Sequence, residues 1–292
     1  MKPTLLVLAA GLGTRYGGLK QLDTIGPNGE IIMDYSIFDA LDAGFGKIVL
    51  IVQEQMIEVL TQRYNVNKNL AVEYVIQGKN LLLDGIEFVN NRPWGTAHAL
   101  WCAKDTVKEN FLLINADDFY GRNSFKLAYE HLSKKNNPCA IVYPVLKTLS
   151  DNGTVNRAEI KIENGHLADS IEREKIRIEN GKILYPDNGV EKELDSSTFV
   201  SMNMFGFTPE IFNYIDADIH NFLNDWRKNR SIEYQLPNVV GKMIKSKLTI
   251  VDVIKTNEEW IGITYQSDKD LAEDRLQRLH DLGIYSNLTW KN

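Results

Sequence analysis

Between Leu8 and Gln21 the chain reads LAAGLGTRYGGLKQ, which sets Gly11, Gly13, Gly17 and Gly18 beside Arg15 and Lys20. Glycines so spaced let backbone N–H groups turn toward an anion without Cβ crowding. Arg15 adds a forked, permanently charged donor for phosphate oxygens. The favoured chemistry is wrapping and neutralising a polyphosphate. Two other glycine patterns fail. A P-loop needs Gly-Lys-Ser/Thr, and GGLKQ lacks both the adjacency and the hydroxyl. A dinucleotide fingerprint needs a helix opening directly from its third glycine, whereas Gly17 falls one place late and GPNGE precedes any helix. Asp117 and Asp118 form a second group, closing the apolar run FLLINA at 111–116. An acidic pair at a strand end suits a hard, oxygen-ligated cation such as Mg²⁺, or the cap of the helix that begins near Arg122.

These groups need strands to carry them. TLLVLAA (4–10), KIVLIV (47–52), AVEYVI (71–76), FLLINA (111–116) and CAIVYPV (139–145) read as strands buried on both faces. Amphipathic stretches at 34–44, 54–64, 95–107 and 122–135 alternate with them as helices, with Asp34 as the expected N-cap of the first. That alternation predicts an α/β fold with a doubly wound, mainly parallel, Rossmann-like sheet. After residue 150 the pattern changes. IKIENGHLADSI and IRIENGKILY each break at Asn-Gly, the strongest hairpin signal, so a β-rich half is expected within the same domain. TFVSMNMFGF (198–207), two helical stretches, the strand KLTIVDV (247–253) and a helix at 268–283 follow. The reading is one domain over 1–292 in two halves, 1–150 and 151–292, the second ending in the C-terminal helix.

Composition narrows the function classes. A chain of 292 residues with 43% hydrophobic and 25% charged residues has ordinary globular composition and can bury a sizeable core. A net charge of -6 without a Lys/Arg run argues against a nucleic-acid surface. Two cysteines make neither a disulfide framework nor a zinc site. The chain carries no eighteen-residue apolar run and enters its first strand soon after Met1-Lys2, so a cytoplasmic protein without membrane partners is expected. The number of copies is left open, with a homo-oligomer compatible.

LAAGLGTR followed by LKQL resembles the opening signature of the sugar nucleotidyltransferases, which join a nucleoside triphosphate to a sugar 1-phosphate. IIMDYSI (31–37), YVIQ (74–77), RPWGTAHAL (92–100), NADDFYG (115–121), EREK (172–175) and SMNMFGF (201–207) match in the family's order. The resemblance covers the first two thirds, and the last third in outline. It implies that Ala9, Ala10, Gly11 and Gly13 surround the nucleoside and triphosphate, that Arg15 meets the departing phosphates, and that Lys20 neutralises the reacting one. Gln77 and Gly95 resemble the base-reading positions. The resemblance also implies that Asp117 holds Mg²⁺, that Lys175 grips the sugar phosphate and that Asn203 meets the sugar, which makes 1–150 the nucleotide-binding half and 151–292 the sugar-phosphate-binding half. His98, Trp94 and Trp101 read as packing residues, since this chemistry needs no histidine base.

Two departures stand out. GKNLLLDGIEFVNNR (78–92) lengthens the connection ahead of PWGTA, which is expected to alter the base pocket. Gly262 stands where many relatives carry a second metal-binding aspartate. The expected reaction is condensation of UTP or dTTP with a sugar 1-phosphate. The alternatives are transfer to phosphocholine or a molybdopterin, which a shortened acceptor half would favour, and a nucleotide-binding regulator without turnover, which a missing metal ligand would favour.

Overall fold

The protein is described by a computed structural model covering residues 1–11, 22–65, 70–150, 152–262 and 268–288. The first half runs β1 (Thr4–Leu8), α1 (Ile32–Ala43), β2 (Lys47–Val52), α2 (Ile57–Tyr64), β3 (Val72–Ile76), β4 (Asn80–Leu83), β5 (Ile86–Val89), α3 (Thr96–Cys102), β6 (Phe111–Asn115), β7 (Asp118–Phe119), α4 (Arg122–Lys134) and β8 (Cys139–Pro144). The second runs β9 (Val155–Glu163), β10 (His166–Glu179), β11 (Lys182–Asp187), β12 (Val190–Leu194), β13 (Phe199–Phe207), α5 (Glu210–Lys228), α6 (Leu236–Lys245), β14 (Asp252–Lys255), β15 (Ile261–Gly262) and α7 (Asp268–Asp281).

The fold is a mixed α/β sheet with helices on both faces. Eleven strands form one sheet in the order β12-β11-β10-β14-β8-β13-β6-β1-β2-β3, with β9 paired to β10 and β13. β1 is parallel to β2 and β6, β2 to β3, and β14 to β8. β13 enters between β6 and β8, antiparallel to both, so a second-half strand sits in the middle of the sheet. Alternation along each strand divides the core. Leu5, Val7, Leu50 and Ile114 pack with Met33 and Ile37 of α1 on one face. Leu6, Ile51 and Leu113 pack with Leu100 of α3 and Val239 of α6 on the other. A third cluster, with Tyr35, Phe119, Leu276 and Tyr285, seats α7 against α1.

Several elements differ from their sequence expectation. KLTIVDV does not form a strand over 247–253: Leu248 N–H bonds Met243 O at 3.0 Å and Lys247 has φ +55, so these residues terminate α6 and the strand begins at Asp252. The helix expected over 95–107 stops at Cys102. Asp34 is not an N-cap. Ile31 takes that place, and the fully buried Asp34 carboxylate accepts Ile31 N–H at 2.8 Å while pairing with Arg63. Residues 78–92 fold as a closed excursion, the β4–β5 hairpin, turned at Asp84-Gly85 with φ +51 and +76. Its ends are tied by Asn90 N–H and Trp94 Nε1–H, both donating to Lys79 O.

Candidate active site

The carboxyl ends of the parallel strands open onto a cavity of about 1570 Å³, lined by residues of both halves. Ala10 and Gly11 leave β1 along its edge, and Ala10 O is fixed by Gln53 Nε2 at 2.8 Å. Ala9 is fully buried in the core beneath, so any part it takes is through its backbone. Gly13, Arg15 and Lys20 lie outside the described residues.

Gln77 and Gly95 meet on one wall despite the insert between them. Gln77 follows β3, is buried, and its Nε2 lies 3.0 Å from Gly95 O and 3.3 Å from His98 Nδ1. Gly95 has φ +113, and a Cβ there would stand 2.5 Å from Tyr234 O. Only glycine fits, because two backbone bonds pin this segment against Tyr234: Tyr234 N–H to Trp94 O at 2.7 Å and Ala97 N–H to Tyr234 O at 2.8 Å.

Asp117 and Asp118 lie on the opposite side of the β6 terminus, Asp117 half-buried and Asp118 buried. Asp118 Oδ2 accepts Asn115 Nδ2–H at 2.9 Å and lies 3.1 Å from the Tyr120 hydroxyl. Burial, and then the Asp117 charge, push its carboxyl up to about 7; Asn115, Tyr120 and Arg157 oppose this. Asp118 also pairs with Gly262 through the β7–β15 bridge. Gly262 faces the cavity, and the space above it is filled: a Cβ there would stand 2.1 Å from Cη2 of Trp260. The Arg157 guanidinium lies over that indole at 4.6 Å. Its Nε and Nη2 donate to Thr148 O and its Nη1 donates to Asn156 O at 2.8 Å. Burial lowers Arg157 only to about 10, so it remains a cation at neutral pH. Thus a stacked, buried arginine and a tryptophan occupy the wall where a second carboxylate was expected. Sequence reasoning missed Arg157, since a lone arginine in a strand carries no spacing signal.

The β-rich half contributes the remaining wall through two irregular strands. β10 shifts register against β9 between Arg173 and Ile176, and β13 shifts against β8 between Ser201 and Phe205. The shifts contain Lys175 at φ +54 and Asn203 at φ +57, both left-handed conformations inside strands. Such bulges redirect side chains and concentrate near functional sites. Asn203 faces the cavity, with its N–H bonded to Ser201 Oγ at 3.2 Å. Lys175 is exposed and outside the cavity lining, with its backbone N–H donating to Asn156 Oδ1 at 2.9 Å, while its neighbour Glu174 lines the cavity. The structure therefore brings Ala10, Gly11, Gln77, Gly95, Asp117 and Asn203 onto one cavity and leaves Ala9 and Lys175 off its surface. Among the described residues no cluster of three or more His, Cys, Asp or Glu side chains could hold a metal, and no helix is long and apolar enough to cross a membrane.

A cavity at the carboxyl ends of parallel strands stands where open α/β sheets take their ligands. The nucleotidyl transferase family profile matches residues 5–263, and the chain belongs to that family of enzymes. It is 25% identical over 278 residues to the UTP–glucose-1-phosphate uridylyltransferase AglF of Haloferax volcanii, covering 93% of this chain and 96% of that one. Among solved structures, a UDP-glucose pyrophosphorylase complexed with UDP-glucose superposes with a TM-score of 0.66 at 15% identity, covering 95% of this chain and 99% of that one. An inositol-1-phosphate CTP transferase from T. maritima superposes with a TM-score of 0.64 at 17% identity, covering 94% and 96%. The structural likenesses establish the shared fold.

Proposed function

We propose that the enzyme condenses UTP or dTTP with a sugar 1-phosphate, giving a nucleotide-sugar and pyrophosphate. The carrying observation is the single cavity lined by both Gln77 and Gly95 of the first half and Asn203 of the second. The relationship to AglF over almost its whole length supports a sugar-phosphate acceptor. In this reading the sheet is doubly wound and Rossmann-like, and the two halves are parts of one domain working in the cytoplasm.

A phosphate oxygen of the acceptor attacks the α-phosphorus in line as the bond to the bridging oxygen of pyrophosphate breaks. Two anions approach, and unit charges 4 Å apart repel by about 4 kcal/mol at an effective dielectric of 20. Catalysis is therefore positioning and charge neutralisation. Ala10 and Gly11 present the β1 end to the nucleotide, and Gln77 and Gly95 hold the base. The Arg157 cation neutralises phosphate charge beside Asp118, a task that Arg15 and Lys20 share. Asn203 meets the sugar, and Lys175, on the β10 bulge outside the cavity lining, has to swing its exposed ammonium inward to reach the sugar phosphate. Asp117 and Asp118 fit Mg²⁺, because adjacent carboxylates suffice when substrate phosphates complete an oxygen shell. The family motif NADDFYG puts Asp117 in the ligand position, with Asp118 held beside it by Asn115 Nδ2–H. Bound there, Mg²⁺ would supply charge neutralisation at the phosphates.

Asp117→Ala is expected to abolish pyrophosphate release while largely sparing triphosphate binding, as read by a coupled pyrophosphate assay and equilibrium dialysis. Full activity would remove Asp117 from the site. A screen of triphosphates against sugar 1-phosphates, with phosphocholine included and Mg²⁺ omitted as a control, tests the substrate class.

A further inference from the structure

We propose that His98 is a positioning residue for nucleobase selection, locking the Gln77 amide so that only its carbonyl oxygen faces the cavity and the site takes a base carrying an imide N–H. This rests on the reading of Gln77 as the base-facing residue.

The lock follows from donor and acceptor chemistry. Gln77 Nε2 or Oε1 could in principle face the cavity, since a side-chain amide is nearly symmetric in shape. Gly95 O can only accept, and it lies 3.0 Å from the Gln77 amide atom, so that atom is the nitrogen. The second amide proton points to His98 Nδ1 at 3.3 Å. His98 Nδ1 accepts it only in the tautomer that carries its proton on Nε2. Cys102 Sγ lies 3.7 Å from Nε2 and supplies the acceptor for that proton. Burial holds the imidazole down at about 4, so the ring stays neutral and keeps its lone pair at physiological pH. The ring is fixed between Trp94 and Trp101, with centroids 6.2 and 5.9 Å away. Both Gln77 amide protons are thereby committed inside the protein. Oε1 is the atom left to the ligand, since among the described residues no donor is bonded to it and Gln77 lines the cavity. A lone acceptor pairs with the N3–H of uracil or thymine and repels the bare N3 of cytosine. Mispaired buried polar groups are costly, which gives such a contact its discriminating power.

The lock also explains why a buried histidine is built into α3 with no access to the reacting atoms. Its imidazole does no proton transfer; it consumes a donor that would otherwise face the base.

The test is the ratio of kcat/KM for UTP and dTTP to that for CTP, measured by pyrophosphate release. His98→Leu is expected to lower that ratio at least about tenfold, because an amide held by Gly95 O alone can turn over as a whole and present Nε2 to the cavity, where it donates to the bare N3 of cytosine. His98→Asn keeps an acceptor near the Nδ1 position and is expected to hold the ratio within a few fold of wild type. A merely structural histidine would change stability or overall rate without changing the ratio. Imidazole ¹⁵N spectra of the unsubstituted protein at neutral pH test the lock without any variant: the expected signature is the Nε2–H tautomer, and an Nδ1–H tautomer overturns the proposal. A His98→Leu enzyme that keeps the wild-type ratio also overturns it. If the unsubstituted enzyme instead prefers purine triphosphates, the base reading itself falls and this inference falls with it. UTP or dTTP turnover with an unaltered ratio in His98→Leu sinks the lock alone.

Discussion

Arg157 shows how a single residue can change the electrostatics of a site while leaving its shape recognisable. Its guanidinium is buried, stacked on Trp260 and anchored to Thr148 O and Asn156 O, so it delivers a preorganised positive charge to the cavity. Arg157→Met keeps a flexible apolar chain over the indole and removes the charge. We expect kcat/KM to fall about 100-fold, in the range lost when one preorganised donor is removed, with near-UV circular dichroism unchanged. An unaltered kcat/KM would exclude Arg157 from the reaction. The residues whose spacing alone could flag them were the glycines after β1 and the paired aspartates, while Gln77 after β3 was marked only by the family resemblance. Arg157 and Trp260 become neighbours only through the β9 start and the approach to β15, more than a hundred residues apart. Gly262 could be marked as a missing carboxylate, but its filling by an indole is a fact of packing that no local pattern records.

At the scale of elements, the strand–helix alternation of the first half and the Asn-Gly turns were legible because each has a local cause. The Asn164-Gly165 and Asn180-Gly181 turns have paired positive φ angles, and Asn188-Gly189, a third such turn between β11 and β12, obeys the same rule. The register shifts around Lys175 and Asn203 were not legible, since bulges arise from pairing with particular partner strands. The position of β14 was also lost, because helix-capping contacts claimed Lys247 and Leu248 from an apolar run. The segment that carries Gly95 depends on close backbone approach. Gly95→Ala would force a Cβ into Tyr234 in a backbone conformation that side chains rarely adopt. A loss of about 3 kcal/mol in chemical denaturation is expected. It should be accompanied by weakened nucleotide binding, as the wall shared with Gln77 shifts. A variant as stable as the wild type would mean that the Tyr234 segment yields easily.

For the whole molecule, the segment that follows α7 ties the chain's last described stretch to α1 through a buried carboxyl. Tyr285 donates to Asp39 Oδ2 at 2.8 Å, and Asp39 Oδ1 has no partner among the described residues. Burial pushes the Asp39 carboxyl up to about 7, with Tyr285 and Arg122 opposing. The folded protein thus binds this proton more tightly than the unfolded chain, where a carboxyl titrates near about 4. The contribution is fully present below about pH 4 and is lost as pH rises through about 7. Asp39→Asn should flatten the fall in Tm between those limits, as followed by thermal scans across pH; an unchanged slope would assign the dependence to another group. The placement of β13 between β6 and β8 has a consequence for synthesis. During translation β6 and β8 leave the ribosome long before the strand that separates them. The middle of the sheet stays open until residues 199–207 emerge, so the nascent first half has to wait, with its apolar edges unsealed, for a strand of the second.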